Sequence, residues 1–280
     1  MTVGVKDANA LGSNSDVLYV NVGTALNTAA FGAGTVTTAA VEKIVVDVKD
    51  AGANTAGSGA FPYVTADAAL GTVEYKGGSL GVAFNAGFVN GSGVGLTKVD
   101  GSAFVGDLYA YGNAFSQLIL GGSGNDLVYT GGRAAFALGT VADTLTGGLG
   151  SDRFYFESTT DASLTAANIT AVDAPAAVAA TNRGEIVTIT DLNLGGANAG
   201  TRVDTIGFVA GALIGVGAGN FAIVNGGAAT ALTGLNLGDA LNTAMANTGI
   251  LGSAAAVAKA GLFTWAGDTY LVATSNTTAA

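Results

Sequence analysis

The sequence predicts a mainly β protein, folded in part as a parallel β-roll or β-solenoid, with a short Ala-rich helix and a β-hairpin in its C-terminal part. Three observations favour this fold class. The chain contains 45 glycines but only two prolines. Short apolar segments recur between Gly, Asn and Asp residues. From about residue 100 these segments follow one another every nine to ten residues, a spacing typical of stacked repeats that pair with their neighbours.

The composition excludes several classes of function. The 280 residues include no His and no Cys, so a Ser-His-Asp triad, a histidine-ligated zinc site and a disulfide cannot be built. Twenty Asp and Glu residues outweigh ten Lys and Arg residues, and this acidic balance would repel nucleic-acid phosphates and anionic lipids. We therefore expect no nucleic-acid partner and a preference for cations as small ligands.

The surface is expected to be poor in charge. Only 11% of the residues are charged, whereas soluble domains average about 25%, so Gly, Ala, Thr, Ser and Asn must cover much of the molecule. The neighbours in a lattice or fibre would cover such a surface. The longest apolar run, at residues 206–219, has 14 residues, fewer than the roughly 18 that a membrane helix needs, and we predict no membrane insertion.

The first 180 residues are predicted to be β-structured almost throughout. Their apolar segments are rich in β-branched and aromatic residues, and Gly and Asn supply the turns between them. The predicted strands are VLYVNV (17–22), VEKIVVDV (41–48), TVEYK (72–76), LGVAF (80–84), GLTKV (95–99), DLYAY (107–111), QLIL (117–120), DLVY (126–129) and RFYF (153–156).

We divide the chain into four parts. Residues 1–95 form an N-terminal β region, which either continues the solenoid or is a separate β domain. Residues 96–156 form the repeat region, and residues 157–183 are an irregular Ala/Thr-rich connection. Residues 184–280 form a β-rich C-terminal region.

The C-terminal region contains the predicted helix and hairpin. Apolar residues three and four apart predict helical structure at about 237–260, in two segments for which Gly249 and Gly261 are the expected stops. Two apolar runs around Ala-Gly-Asp predict a β-hairpin at residues 262–274.

The segment GGSGNDLVY at residues 121–129 carries the clearest chemical signal. It matches the nonapeptide pattern G-G-x-G-x-D-x-U-x, in which U is a large apolar residue, at every specified position. Its three glycines permit a tight turn that exposes backbone carbonyl groups. Asp126 adds a carboxylate at the edge of the turn, and Val128 is predicted to point into the core.

The pattern recurs along the chain. GGLGSDRFY (147–155) is a second full copy, LGTVADTLT (138–146) keeps Asp143 nine residues before Asp152, and GNAFSQLIL (112–120) has Gln117 in place of the Asp. TGGRAAFA (130–137) is one residue short of the repeat, so we expect an irregularity there. The residues predicted to bind metal are Gly121, Gly122, Gly124, Asp126, Asp143, Gly147, Gly148, Gly150 and Asp152.

Carboxylate and carbonyl oxygens from two stacked turns form the kind of ligand set that Ca²⁺ prefers. The sequence therefore predicts calcium at these turns. The alternative is a glycine-rich turn without an ion, in which Asp only forms Asx-type turns. Other acids beside strand segments are predicted to be strand-end or turn acids, or else secondary calcium ligands; they are Asp47, Asp50, Asp100, Asp107, Asp191 and Asp204.

These repeats resemble the RTX family of proteins that bacteria export by type I secretion. The flanking segments look like the C-terminal region of RTX surface-layer proteins, and the likeness covers about residues 95–274. The segments that carry it are KVDGSAFVGDLYAYG, DTLTGGLGSDRFYF, ITDLN, VDTIGF and LFTWAGDTYLV. The resemblance implies export directed by a C-terminal segment, an extracellular location at the cell surface, and folding when calcium is met.

Together these patterns predict a secreted, calcium-binding structural protein that self-assembles on the bacterial cell surface as an S-layer-like lattice or fibre. Its main partner would be further copies of itself. The alternative is a calcium-dependent adhesin or carbohydrate-binding module, with a cell-surface polysaccharide as its partner. A secreted hydrolase that uses only carboxylates is a weaker reading, and we predict no catalytic residues and no enzymatic activity.

Overall fold

The structure is a computed structural model. The residues it describes are 16–22, 36–37, 41–48, 64–65, 70–79, 83–88, 96–112, 117–130, 143–156, 187–193, 202–208, 212–214, 229–233, 237–251 and 260–273. The predicted connection at 157–183 lies outside these residues.

The described chain is mainly β, as predicted, and divides into two compact units. The first unit comprises residues 1–134, 141–155 and 187–192, and the second comprises residues 135–140, 156–186 and 193–280. None of the described helices is both long enough and apolar enough to cross a membrane.

The first unit is built from parallel strands that alternate between sheets along the chain. Seven odd-numbered strands form one sheet in the order β1-β3-β5-β7-β9-β11-β13. They are β1 (Val17–Val22), β3 (Lys43–Val48), β5 (Thr72–Gly77), β7 (Lys98–Phe104), β9 (Leu118–Leu120), β11 (Thr144–Thr146) and β13 (Thr188–Ile189). Each pairs in parallel with the next odd-numbered strand.

The even-numbered strands of this unit also lie side by side in parallel. They are β2 (Val36–Thr37), β4 (Val64–Thr65), β6 (Ala83–Phe88), β8 (Asp107–Tyr111), β10 (Leu127–Tyr129) and β12 (Arg153–Phe156). β2 pairs with β4 in a separate two-stranded sheet, whereas β6, β8, β10 and β12 are consecutive neighbours in a second large sheet. We call one passage from a strand through the other sheet to its parallel partner a circuit.

The circuit from β8 to β10 has the length of two nonapeptide repeats. Leu127 is paired with Tyr109, eighteen residues earlier (127 − 109), which is two repeats. Leu127 is also paired with Arg153, twenty-six residues later (153 − 127). The eight extra residues match the length of the irregular TGGRAAFA segment, most of which lies outside the described residues. The predicted irregularity therefore lengthens one circuit.

Alternate residues of both sheets fill the core of the first unit. The middle side chain of each three-residue strand is fully buried, and its neighbours on either side are partly exposed; these middle residues are Ile119, Val128 and Leu145. This alternation is the period of a strand with one buried face. The predicted inward orientation of Val128 is confirmed.

The outer face of the seven-stranded sheet carries ion pairs. Lys43 Nζ lies 2.5 Å from Glu74 Oε2, Lys98 Nζ lies 2.7 Å from Asp100 Oδ2, and Lys76 Nζ lies 3.6 Å from Asp47 Oδ2. These side chains are partly exposed, so each pair contributes only about 0–1 kcal/mol to stability. Asp47 and Asp100 therefore lie in strands, and each pairs with a lysine on the same sheet.

The second unit contains short strands and two helices. β14 (Thr205–Phe208) pairs antiparallel with β15 (Ala212–Ile214). A three-stranded sheet contains β16 (Thr230–Ala231), β17 (Ala260–Trp265) and β18 (Asp268–Ala273), in that order. The helices are α1 (Leu237–Ala246) and α2 (Thr248–Leu251). A buried cluster joins the two helices to β17 and β18; its members are Ala240, Leu241, Ala244, Ile250, Phe263 and Val272.

The predicted hairpin is present as β17 and β18. The two turn residues, Ala266 and Gly267, have φ values of 52° and 96°. Positive φ at both positions is typical of the type I′ turn, whose twist matches that of the flanking strands.

The predicted helix stops are wrong. Gly249 lies inside α2, and Gly261 lies in β17. The break between the helices falls instead at Asn247, whose Oδ1 accepts a hydrogen bond from Gly249 N at 2.7 Å and so caps α2. Gly261 serves packing, because a Cβ there would lie 2.0 Å from the carbonyl oxygen of Ile250. Residues 252–259 of the predicted helix lie outside the described residues.

Candidate functional site: stacked glycine–aspartate corners

The two full copies of the repeat form turns that stack on successive circuits. We call residues 121–126 and 147–152 the glycine–aspartate corners; each leads from a strand of the seven-stranded sheet into β10 or β12. Backbone hydrogen bonds join the stack, because Ser123 N donates to Phe104 O at 3.0 Å and Leu149 N donates to Gly122 O at 2.9 Å. The repeat therefore brings its own copies into register, one above the other.

The second and third glycines of the motif are required by this stacking. Gly148 and Gly150 have φ values of 97° and 130°, which L-residues rarely adopt. A Cβ on Gly148 would lie 2.2 Å from Gly122 O, and one on Gly150 would lie 1.9 Å from Gly124 O. The carbonyl oxygens of one corner thus point directly at the glycines of the next.

The first glycine of the motif makes room for the motif's own carboxylate. A Cβ on Gly121 would lie 2.4 Å from Asp126 Oδ2 and 2.2 Å from Gly147 O, and one on Gly147 would lie 2.2 Å from Asp152 Oδ2. A carboxylate oxygen and a carbonyl oxygen from two successive circuits therefore converge beside Gly121.

The aspartates of the motif are buried and tie neighbouring circuits together. Asp126 is 1% exposed and Asp152 is 2% exposed. Asp126 Oδ1 accepts a hydrogen bond from Leu108 N at 2.7 Å, and Asp126 Oδ2 accepts one from Gly122 N at 2.5 Å. Asp152 Oδ1 accepts one from Asp126 N at 2.8 Å. Each carboxylate thus binds an amide of the preceding circuit.

Burial raises the pKa of Asp126 from 3.8 to about 6. The hydrogen bonds from Leu108 and Gly122 oppose this shift, whereas the negative charges of Asp107 and Asp191 add to it. The corner therefore disfavours an uncompensated negative charge, and a bound proton or cation would relieve that cost.

Asp143 lies at a different position from the other two aspartates. It precedes β11, a strand of the seven-stranded sheet, whereas Asp126 and Asp152 precede strands of the second sheet. Its Oδ1 accepts a hydrogen bond from Gln117 N at 2.9 Å, and Gln117 Nε2 donates to Leu96 O at 3.1 Å. Gln117 therefore occupies the equivalent place one circuit earlier, as the degenerate repeat predicts.

The structure adds side chains that the motif does not include. Asp191 accepts hydrogen bonds from Gly147 N at 2.9 Å and Gly148 N at 2.6 Å. Asp107 Oδ1 accepts one from Asn125 N at 2.8 Å, and Asn125 Oδ1 accepts one from Ser151 N at 2.9 Å. Asn125 occupies an unspecified position of the repeat, so only the stacking of circuits reveals its role.

Asp191 has no local sequence signal, because its segment lacks the glycines of the repeat and lies forty-four residues after Gly147 (191 − 147). Asp204 belongs to the second unit. Its Oδ2 accepts a hydrogen bond from Asn193 N at 2.8 Å, and Asp204 immediately precedes β14. The sequence predicts these two acids only as strand-end or turn acids, or else as secondary calcium ligands.

The donor atoms at the corners suit a hard cation. Within the described ranges, no three acidic side chains come close enough to form a metal site by themselves. Each circuit instead offers one buried carboxylate, together with carbonyl oxygens such as those of Gly122, Gly124 and Gly147. An all-oxygen set of carboxylates and carbonyls is the chemistry that Ca²⁺ accepts.

No protein-family model, no curated protein and no solved structure matches the chain.

Proposed function

We propose that this chain is a secreted, calcium-binding structural protein that self-assembles on the bacterial cell surface, and that its first unit is a calcium-stabilised β-roll. The observation that carries the proposal is the stack of glycine–aspartate corners. Each corner buries a carboxylate that accepts a hydrogen bond from the preceding circuit, and it points carbonyl oxygens at the glycines of the next circuit. Gly121, Gly122, Gly124, Asp126, Gly147, Gly148, Gly150 and Asp152 would line the calcium sites, with Asp143 at the start of β11 as a further ligand.

The electrostatics favour a cation at these corners. Asp126 is almost fully buried, and burial together with Asp107 and Asp191 raises its pKa. A divalent cation that binds the carboxylate offsets this repulsion and the cost of burial. It would lower the pKa of Asp126 again, so the site would be loaded at neutral pH.

Calcium would also make the stability of the fold different inside and outside the cell. Extracellular calcium modules bind with dissociation constants of about 10⁻⁴ to 10⁻³ M. Such sites would stay mostly empty in a cytosol and fill outside the cell. Calcium at a hundred times the dissociation constant adds about 2.7 kcal/mol per site, a large part of the roughly 5–15 kcal/mol that stabilises a typical domain.

Self-assembly is supported by the composition. A chain with only 11% charged residues lacks the surface charge on which free monomers depend for solubility. Packing against neighbouring copies would remove this surface from water. The chain contains no His or Cys for the commonest catalytic roles, and we propose no enzymatic activity.

A calcium-dependent carbohydrate binder is the second candidate, favoured by an aromatic strip on the outer face of β8, β10 and β12. Tyr129 and Tyr155 stack with ring centroids 5.0 Å apart. Leu127, two residues before Tyr129 in β10, is paired with Tyr109 of β8, and both are partly exposed. Aromatic side chains combine an apolar ring with a polar group, which suits a sugar surface. A glycan array on the calcium-loaded protein tests this candidate.

The calcium proposal is tested by the double substitution Asp126→Asn with Asp152→Asn. We expect the parent protein to gain β signal in circular dichroism, and heat in calorimetry, as calcium is added, and the double variant to lose most of both responses. The control is Asp268→Asn, which removes one exposed carboxylate in the β17–β18 hairpin. An unchanged calcium response in the double variant would move the site elsewhere.

The assembly proposal is tested separately by electron microscopy. We expect ordered lattices or fibres when calcium is added to the purified parent protein and their loss when it is chelated. Calcium-loaded protein that stays monomeric at high concentration would favour the carbohydrate binder instead.

A further inference from the structure

We propose that the free edge of β1 is a dimer interface, at which the β1 strands of two copies of this chain pair. Within the described ranges, β1 hydrogen-bonds on one side only, to β3, and is the first strand of the seven-stranded sheet. An unpaired edge presents backbone donors and acceptors that a second strand can bind. The inference goes beyond the proposed function and does not depend on calcium.

The register shows which backbone groups face the free edge. Lys43 N donates to Asp16 O at 3.2 Å, so the carbonyl of Asp16 points towards β3. Backbone groups of successive residues in a strand point to opposite sides. The N–H and C=O groups of Val17, Tyr19 and Asn21 therefore point away from β3.

The edge lacks the features that normally protect a sheet edge. Its sequence, VLYVNV, contains no charged residue and no proline, and its six pairs with β3 run without a bulge. Tyr19 is 65% exposed and Val17 is 36% exposed. Natural proteins usually protect a strand of this length with Lys, Pro, a bulge or a covering segment. The absence of these features from β1 itself favours a strand that is covered in the assembled protein.

Charge favours a second copy as the covering partner. Two chains that each carry a formal net charge of −10 repel one another across most of their surfaces, but two copies of uncharged β1 meet without local repulsion. In antiparallel pairing about a twofold axis near Val20, Tyr19 of each copy would lie opposite Asn21 of the other, in cross-strand pairs that stabilise adjacent strands.

The opposite end of the sheet favours pairing of β1 with β1 over head-to-tail stacking of β13 on β1. β13 has only two residues, and it is followed by Asp191, whose carboxylate is held by Gly147 N and Gly148 N. This end is too short and too acidic to continue a stack onto β1 of the next molecule. Pairing of β1 with β1 about a twofold axis uses the same surface on both chains and closes the assembly.

Two substitutions in β1 test the interface. Asn21→Pro removes an N–H that faces the free edge and leaves the bonds to β3 intact, and Asn21→Ala is its control. Tyr19→Lys places two positive charges near one another in the dimer. Its control is Val105→Lys, at a position 38% exposed between β7 and β8.

Sedimentation velocity in calcium-containing buffer, at protein concentrations below those at which lattices or fibres form, measures the result, with circular dichroism to confirm folding. We expect the parent to sediment with twice the 27.1 kDa mass of one chain. Asn21→Pro and Tyr19→Lys should each weaken dimerisation by about tenfold or more, and both controls should dimerise like the parent.

Three results would overturn the inference: a parent protein that is monomeric at every concentration, a dimer that both variants leave unchanged, or slow amide hydrogen exchange at Tyr19 and Asn21 in the monomer. The last would mean that the protein's own chain covers the edge. The calcium response of the same samples reports on the proposed function, so dimerisation and calcium binding can fail independently.

Discussion

At the scale of single residues, the corners combine two demands that glycine alone meets. Gly148 and Gly150 have positive φ values, and their α-carbons lie against carbonyl oxygens of the preceding corner. Gly267 also has a positive φ of 96°, but no atom lies within 4 Å of the place where its Cβ would be. The comparison separates the cost of backbone conformation from the cost of stacking.

Gly150→Ala is therefore expected to destabilise the protein more than Gly267→Ala. Both alanines must adopt a left-handed conformation, at about 1–2 kcal/mol. Only the alanine at 150 must also displace Gly124 O, which we expect to raise its total loss of unfolding free energy to about 3 kcal/mol or more. Denaturant unfolding measures both variants, and equal losses would show that the corners are not tightly stacked.

Residue patterns predicted the corners because their signal is local. Nine consecutive residues specify the turn, the carboxylate and the buried Val128, and each of these depends on backbone geometry within the repeat. The amides that these carboxylates bind could not be read in the same way. Leu108 N binds Asp126 from eighteen residues earlier (126 − 108), and Gly147 N binds Asp191 across forty-four residues (191 − 147), so these partners depend on the stacking of circuits and not on the nine residues of the repeat.

At the scale of elements, the contact between α2 and β17 depends on one glycine. Because glycine commonly ends helices, the sequence predicts a helix stop at Gly261. The structure instead uses it inside β17, where the strand backbone approaches Ile250 O. A close approach between two elements leaves no periodic signal, so a glycine stop and a glycine contact look alike in sequence.

Gly261→Ala is expected to weaken this unit, whereas Gly249→Ala is expected to be nearly neutral. The first forces β17 away from α2, at about 1–3 kcal/mol. The second lies within α2, where alanine favours the helix by up to about 1 kcal/mol and meets only Asn247 Oδ1 at 3.1 Å.

The fluorescence of Trp265 during thermal unfolding measures both variants. Trp265 is the single Trp of the chain and packs edge-on against Tyr270 in this unit, so its signal follows the hairpin. A lower midpoint for Gly249→Ala than for Gly261→Ala would contradict the packing role of Gly261.

At the scale of the whole molecule, protons and calcium are expected to compete for the same carboxylate. Asp126 has a folded pKa of about 6 against an ordinary value of 3.8. Between these pH values the folded chain binds more protons than the unfolded chain, so in metal-free buffer this group stabilises the fold at low pH. That contribution is lost as the pH rises through about 6. Calcium requires the deprotonated carboxylate, and its stabilising effect should therefore increase over the same interval.

The prediction is a difference between two proteins measured from pH 4 to pH 7. In chelator, the parent should lose about 2 kcal/mol of unfolding free energy relative to Asp126→Asn over this range, because only the parent gains a buried charge. With calcium in excess, the parent should retain that stability and the variant should gain little from the metal. Parallel pH profiles for the two proteins in chelator would mean that Asp126 titrates normally. The corner would then have no need of a cation, and Asp126 would only bridge the amides of neighbouring circuits.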